Sequence, residues 1–132
     1  MSWDDELNEM ARRASLAEAM GGEEKVARQH EFNKLTIRER IAHIADADSF
    51  HEIGKLAGVG EYDDDGNLTH LTPSNFVFGT AEIDDRPVIL SGDDFTVRGG
   101  SADASIAGKR TQAEGLAAEL RLPHIRLVDG MG

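Results

Sequence analysis

The residues with the clearest chemical potential lie at positions 94–101, where the sequence reads DFTVRGGS. An aromatic and β-branched run meets Arg98, and Gly99 and Gly100 follow it. Two adjacent glycines permit positive φ and let a ligand reach the backbone without meeting a Cβ atom. Amides freed where a strand gives way to a helix can bind a carbonyl or phosphate oxygen. The pattern predicts either a ligand-contacting turn or a tight connection, and a connection is the commoner reason for glycine at a strand end.

Other candidate motifs lack residues that their chemistry requires. The acidic segment that begins at Glu61 has the spacing of a calcium loop, but Thr72 stands where a bidentate glutamate is needed. Gly108 and Lys109 resemble the end of a phosphate loop, but Asp103 and Arg110 replace its first glycine and last hydroxyl residue. None of the five histidines forms an HxH or HExxH pair, and no serine lies in a GxSxG elbow. We therefore expect solvated or structural roles for these residues.

Helices are predicted in the first third of the chain and again near its end. Apolar residues at spacings of three and four indicate an amphipathic helix over 4–20, which two glycines end. Residues 23–32 are predicted as a second helix. Thr36 and Glu39 have the spacing of a capping box, in which each side chain satisfies an amide at the start of a third helix. A long helix is predicted over 102–120.

The middle of the chain carries the strand signals. A hairpin is expected around the turn at 84–86, with Pro87 as the first residue of its second strand. Residues 58–75 are predicted to be loosely structured, with a solvated acidic turn at 61–67. Strands are predicted over 76–83, 87–90, 94–97 and 125–128. The predicted order is a helical arm followed by ββαβ.

Composition limits the class of protein. The chain has 132 residues, 39% of them hydrophobic and 30% charged, which fits one globular domain. A net charge of −11 argues against a nucleic-acid partner, and no apolar run reaches the roughly 20 residues that span a bilayer. The absence of cysteine excludes disulfides and makes a cytoplasmic location the default expectation. The ending HIRLVDGMG reads as a strand and the start of a turn, so we expect a fragment of a longer chain.

Several segments, taken together and in order, form a recognisable series. They are Gly21-Gly22, RQH at 28–30, LTIRERI at 35–41, DSF at 48–50, VFGTAEIDDRPV at 77–88, DFTVRGGS at 94–101 and the strand and turn at 122–130. The series resembles the carboxyltransferase (β) subunit of biotin-dependent acyl-CoA carboxylases, typified by propionyl-CoA carboxylase. The resemblance implies an α/β crotonase-like fold, a spiral of ββα units. Residues 1–47 would form a helical N-terminal arm, and residues 48–132 the first part of the N-terminal crotonase-like domain.

The resemblance also implies an activity, namely transfer of a carboxyl group from carboxybiotin to the α-carbon of an acyl-CoA. Biotin would be held on a partner carrier domain, next to a biotin carboxylase, and the full-length subunit would form a homo-oligomer, as a hexamer. The family's oxyanion glycines and biotin-binding half lie further along the chain, so this segment is expected to hold no catalytic residue and no metal, and to be inactive alone. The residues expected to border the acyl-CoA are Phe95, Val97, Arg98, Gly99, Gly100, Ser101, Asp129 and Gly130.

The chain departs from the family pattern near this expected pocket. The family usually has glutamine where Asp93 stands, an aromatic or small residue where Arg98 stands, and Asp-Ser-Gly-Gly-Ala-Arg where residues 129–132 read DGMG. These changes indicate a divergent subfamily. Arg98 has three interpretations, as a partner of a substrate carboxylate, as a partner of a CoA phosphate, or as a solvated cation.

Two other function classes stay open. A crotonase-fold acyl-CoA hydratase or decarboxylase is disfavoured by the RERI segment, because such chains usually lack the helical arm. A non-catalytic assembly module is the other alternative, since the helical arm has the form of an element that clasps a neighbouring subunit.

Overall fold

The chain forms three N-terminal helices and then a mixed α/β unit in the computed structural model, which describes residues 1–101 and 106–130. No helix among these residues is long and apolar enough to cross a membrane. The elements, in chain order, are α1 (Asp4–Glu18), α2 (Glu23–Glu31), α3 (Ile37–Ile44), β1 (His51–Ile53), β2 (Gly58–Tyr62), β3 (Leu68–Pro73), β4 (Phe76–Ile83), β5 (Arg86–Asp93), α4 (Lys109–Leu120) and β6 (His124–Leu127), with a short 3₁₀ turn at Arg98–Gly100 before α4.

The main sheet has the strand order β1-β4-β5-β6. β4 and β5 form an antiparallel hairpin with register Phe78↔Ser91. β6 pairs with β5 in parallel, with register Leu90↔Ile125, so the chain must cross the sheet between them, and α4 makes this crossing. The crossing brings the carboxyl end of β6 beside the carboxyl end of β5.

The sheet is buried on both faces because the side chains of β5 alternate between two helices. Val88 and Leu90 pack against Ile37 and Ile41 of α3. Ile89 packs on the opposite face, in a cluster with residues of α4. Burial of these apolar faces supplies the main favourable free energy of the unit. β5, whose side chains reach both faces of the sheet, ends at Asp93, just before the turn that contains Gly99 and Gly100.

The capping box predicted for α3 is confirmed. The Glu39 amide donates to Thr36 Oγ1 at 3.3 Å, and the Thr36 amide donates to Glu39 Oε2 at 2.9 Å. The cap fixes the start of α3, so that Ile37 and Ile41 face the sheet.

Three sequence expectations differ from the structure. Residues 58–75, expected to be loose, contain the β2–β3 hairpin, which is stabilised by the packing of Ala17 of α1 on Leu68 and Leu71 of β3. Residues 94–97, expected as a strand, form a turn. The last helix begins at Lys109; residues 102–105, in which it was expected to begin, lie outside the described residues.

Alanine substitutions at two glycines, one in α4 and one in the sheet, test how much room each position leaves for a side chain. A Cβ at Gly115 of α4 would meet no atom within 4 Å, so Gly115→Ala should raise the free energy of unfolding by about 1 kcal/mol through helix propensity. Gly79 in β4 is the matched position without room, because a Cβ there would overlap the carbonyl of His51. Gly79→Ala should lower stability by about 2 to 4 kcal/mol in the same urea titration. Equal effects of the two variants would contradict the packing described.

Candidate ligand-binding site

The DFTVRGGS segment closes into a compact turn at the carboxyl end of β5. The Gly100 amide donates to the Val97 carbonyl at 3.0 Å, and the Ser101 amide donates to the Arg98 carbonyl at 3.2 Å. Arg98, Gly99 and Gly100 have φ values of 49°, 62° and 68°, so three successive residues adopt the left-handed conformation. Glycine adopts this conformation without cost, whereas arginine is strained in it.

Gly100 is required by a close backbone contact as well as by its φ angle. A Cβ on Gly100 would lie 2.5 Å from the Asp129 carbonyl oxygen and 3.0 Å from the Gly130 Cα. The turn therefore packs directly on the segment that follows β6. Gly100 itself is buried, so its lack of a side chain allows the turn to pack against Asp129 and Gly130.

A buried carboxylate fixes the start of the turn. Asp94 is 1% exposed, and its Oδ1 accepts hydrogen bonds from the Thr96 amide at 2.9 Å and from Thr96 Oγ1 at 2.6 Å. This local bonding explains why the chain turns here, where its β-branched residues predicted a strand. Burial raises the pKa of the Asp94 carboxyl, although both hydrogen bonds from Thr96 favour the ionised form.

The same threonine attaches the helical arm to the turn. The Gly21 amide, between α1 and α2, donates to Thr96 Oγ1 at 2.9 Å. A Cβ on Gly21 would overlap the Thr96 carbonyl oxygen, so the two backbones are in direct contact. The arm is therefore seated on the turn at a position that only glycine can occupy.

A second attachment joins the arm to the segment after β6. Lys34 Nζ contacts Asp129 Oδ1 at 2.7 Å, and Gln29 Nε2 donates to Asp129 Oδ2 at 3.2 Å. The Lys34 ammonium also lies 4.2 Å from the centre of the Phe95 ring, within cation–π distance. The side chain of Asp129 is thus directed toward the arm, where its charge is paired with that of Lys34.

Between the arm and the turn lies an open cleft of about 690 Å³. One wall is α2 with the residues that follow it, and the other is the turn. Its lining is basic and aromatic, and none of the described residues in it is acidic. The lining residues are Lys25, Arg28, Gln29, Phe32, Lys34, Phe95, Thr96, Arg98 and Gly99.

The eight residues expected to border an acyl-CoA occupy different positions around this cleft. Phe95, Arg98 and Gly99 line it directly. Val97 is buried and lines a neighbouring cavity of about 390 Å³, to which Thr96 and Arg98 also contribute. Gly100, Ser101, Asp129 and Gly130 are not among the residues that line the cleft; Gly100 packs on the other segment, and the Ser101 carbonyl accepts from the buried Asn75 side chain at 2.6 Å.

Sequence reasoning missed the wall that the arm contributes. Lys25, Arg28 and Phe32 lie on or just after α2, and Lys34 follows closely. The available signal was a cluster of cations beside an aromatic residue in a chain of net charge −11. That signal gave no indication that the arm faces the turn, because the contacts that hold the arm in place join residues 75 and 95 positions apart.

Asp93 forms a buried ionic cluster beside the site. Arg110 of α4 and Arg126 of β6 contact its Oδ1 at 3.0 and 3.3 Å, and the Asp129 amide donates to its Oδ2 at 3.3 Å. Asp93 is 3% exposed, so its charge needs these partners. The cluster holds α4, β5 and the segment after β6 together.

Lys109 is a buried cation at the start of α4. Its side chain packs against Gly54, and burial lowers its pKa to about 8, an effect that the nearby Arg38 adds to and Glu52 opposes. Among the described residues Lys109 forms no ion pair within 4 Å, and Glu52 is paired with Arg38 at 2.6 Å. The position therefore carries an uncompensated electrostatic cost.

The comparisons with known proteins agree with this architecture. The chain resembles transcarboxylase 12S, whose solved structure is a hexamer with methylmalonyl-coenzyme A bound, at a TM-score of 0.82 and 29% identity, over 100% of this chain and 26% of that one. It is 32% identical, over 100% of its length, to the carboxyltransferase subunit of propionyl-CoA carboxylase from Haloferax mediterranei. It is 30% identical over 97% of its length to the methylmalonyl-CoA decarboxylase subunit alpha of Veillonella parvula.

The fold is that of the crotonase-like carboxyltransferases, with a helical N-terminal arm and part of the sheet. The family model for the carboxyl transferase domain matches residues 28–132, and the chain belongs to this family. It spans about a quarter of the length of these relatives, 26% of the Haloferax protein and 25% of the Veillonella protein. The expected family and fold are thereby confirmed.

The Asp93 cluster predicts a large stability loss when its carboxylate is removed. Asp93→Asn leaves Arg110 and Arg126 partly buried without a counter-charge, so the free energy of unfolding should fall by about 3 kcal/mol. Glu18→Gln is the matched control, since Glu18 pairs with Lys55 at the surface and should cost less than about 1 kcal/mol. Chemical denaturation of both variants measures the difference, and equal losses would contradict a structural role for Asp93.

Lys109 predicts a specific pH dependence. Its folded pKa of about 8 lies below its ordinary value of 10.5, so the unfolded chain binds more protons between these values and stability rises with pH across that window. Lys109→Met should remove this rise and raise stability at pH 7 by about 2 kcal/mol. The check is the difference between the stability curves of the two proteins from pH 7 to 11. A constant difference across that range would show that the Lys109 pKa is not lowered by folding.

Proposed function

We propose that this chain is the N-terminal part of the carboxyltransferase component of a biotin-dependent acyl-CoA carboxylase. The observation that carries the proposal is the cleft between the arm and the left-handed turn, built from the segment that resembles the family's most recognisable motif. The family membership and the methylmalonyl-coenzyme A bound by transcarboxylase 12S support an acyl-CoA as the ligand.

In this proposal the described residues bind and orient the thioester substrate. Phe95, Arg98 and Gly99 border the acyl-CoA along the cleft, and Gly99 leaves its backbone open to the ligand because it carries no Cβ. The proposal places Val97, Gly100, Ser101, Asp129 and Gly130 behind these residues, where they support the turn without lining the cleft. Carboxybiotin, when bound, supplies the carboxyl group that replaces a proton on the α-carbon of the acyl group. We assign none of the described residues to biotin, to catalysis or to a metal.

The proposal extends to the organisation of the whole protein. Residues 1–47 form the arm, and residues 48–132 begin the N-terminal crotonase-like domain. The partners are a biotin carboxylase and biotin carrier subunit and further copies of the same chain, arranged as a hexamer in the whole protein. The hexamer assembly of transcarboxylase 12S supports this arrangement. The location is the cytoplasm.

A decarboxylase acting on a carboxylated acyl-CoA is the second candidate, because the chain resembles a methylmalonyl-CoA decarboxylase subunit at 30% identity. The longer protein distinguishes the two reactions directly. Incubation with propionyl-CoA and carboxybiotin should give methylmalonyl-CoA if the protein is a carboxylase component. Loss of carbon dioxide from methylmalonyl-CoA without carboxyl transfer would favour the decarboxylase.

The chain itself should bind acyl-CoA and should not catalyse the transfer. Calorimetric titration with propionyl-CoA should give a saturable heat, which Phe95→Ala reduces about tenfold in affinity by removing an aromatic wall of the cleft. Tyr62→Ala is the control, since Tyr62 is exposed on the β2–β3 hairpin and does not line the cleft. The absence of heat with both propionyl-CoA and free CoA would contradict the proposal. Sustained carboxylation of propionyl-CoA by this chain with carboxybiotin would contradict its inactivity alone.

A further inference from the structure

The cleft concentrates positive charge in a strongly acidic chain. Among the described residues that line it, four are cations, Lys25, Arg28, Lys34 and Arg98, and none is acidic, although the chain has a net charge of −11. Such a local reversal of sign attracts an anionic ligand and is weakened by salt.

Three of these cations keep an unneutralised charge. Lys34 is paired with Asp129 at 2.7 Å. Within the described ranges, Lys25, Arg28 and Arg98 form no ion pair within 4 Å. Three cations that have no acidic partner in the described part of the chain, placed around one opening, fit a ligand with at least two negative charges, such as a phosphate dianion.

An exposed aromatic ring lies among these cations. Phe32 is 66% exposed, and the Arg28 guanidinium lies 5.9 Å from the centre of its ring. An exposed phenyl ring beside a guanidinium offers a stacking surface for a nucleobase. The cleft therefore combines features that bind a base and features that bind a phosphate.

Arg98 is held in a conformation that its own side chain disfavours. Its φ of 49° is left-handed, a region where glycine is favoured and where a bulky residue is strained. Strain of this kind persists where the surrounding structure holds it in place, and strained residues are enriched at ligand-binding sites. Arg98 is exposed and lines both the cleft and the neighbouring cavity, so its guanidinium is available to a ligand.

We propose that Lys25, Arg28 and Arg98 bind the 3′-phosphate of coenzyme A, with the adenine on Phe32. The inference rests on the proposed function, because it assigns one end of the acyl-CoA to the cleft. It explains why arginine occupies a left-handed position in this chain. It also makes the arm part of the ligand-binding site, since Lys25, Arg28 and Phe32 all precede α3.

The first test compares coenzyme A with dephospho-coenzyme A, which lacks only the 3′-phosphate. Calorimetric titration of the chain should give at least about tenfold tighter binding of coenzyme A, and the difference should shrink as salt is raised. Lys25→Gln and Arg28→Gln should each reduce the difference. Equal affinity of the unmodified chain for the two compounds would overturn the inference.

The second test separates the strain at Arg98 from its role in binding. Arg98→Gly should raise the melting temperature by about 3 to 5 °C, because glycine adopts φ of 49° freely, and should abolish the preference for coenzyme A. Arg121→Gly is the matched control: Arg121 has φ of 55° at the end of α4 and does not line the cleft. It should give a similar rise in melting temperature with no change in binding.

Failure of this inference differs from failure of the proposed function. If coenzyme A binds the unmodified chain and Arg98→Gly and Arg121→Gly bind it equally well, the phosphate assignment is wrong and acyl-CoA binding stands. If neither coenzyme A nor propionyl-CoA binds, both are wrong.

Discussion

The site depends on one contact, the approach of the Gly21 backbone to Thr96. Thr96 accepts a hydrogen bond from the Gly21 amide while its own hydroxyl donates to Asp94, which is buried. Because an arm helix and the turn form the two walls of the cleft, this contact sets the width of the opening. A side chain at Gly21 would force the walls apart, so the arm is as much a part of the site as the motif is.

Charged side chains hold the segment after β6 in place beside the turn. Asp93 accepts from the Asp129 amide while Lys34 and Gln29 hold the Asp129 carboxylate, so the segment after β6 is fixed from both sides. Gly100 lies against that segment. A turn fixed in this way presents its outer residues without reorganisation when a ligand arrives, which reduces the entropic cost of binding.

Local sequence patterns predicted those elements that neighbouring residues determine. The features that they did not predict depend on contacts that the patterns do not show. The capping box at Thr36 and the bounds of β4 followed from neighbouring residues alone. The β2–β3 hairpin did not, since the two glycines of β2 and the acidic turn give a weak strand pattern and the hairpin is stabilised by packing on α1. The turn at Asp94 was predicted as a strand because Phe95, Thr96 and Val97 favour one, whereas the bonds from Thr96 to Asp94 decide the conformation. The family resemblance identified the DFTVRGGS motif as part of a binding site, but it gave no indication that Lys25 and Arg28 lie across the cleft from that motif.

The central claim is that the arm and the glycine turn together bind an acyl-CoA. Amide chemical-shift mapping of the ¹⁵N-labelled chain during titration with propionyl-CoA tests it most directly. The account predicts that the largest changes occur at Lys25, Arg28, Thr96 and Gly99, on both walls of the cleft, while Gly66 and Gly115 are unaffected. Changes restricted to residues outside both walls, or changes on the turn without any on the arm, would contradict it.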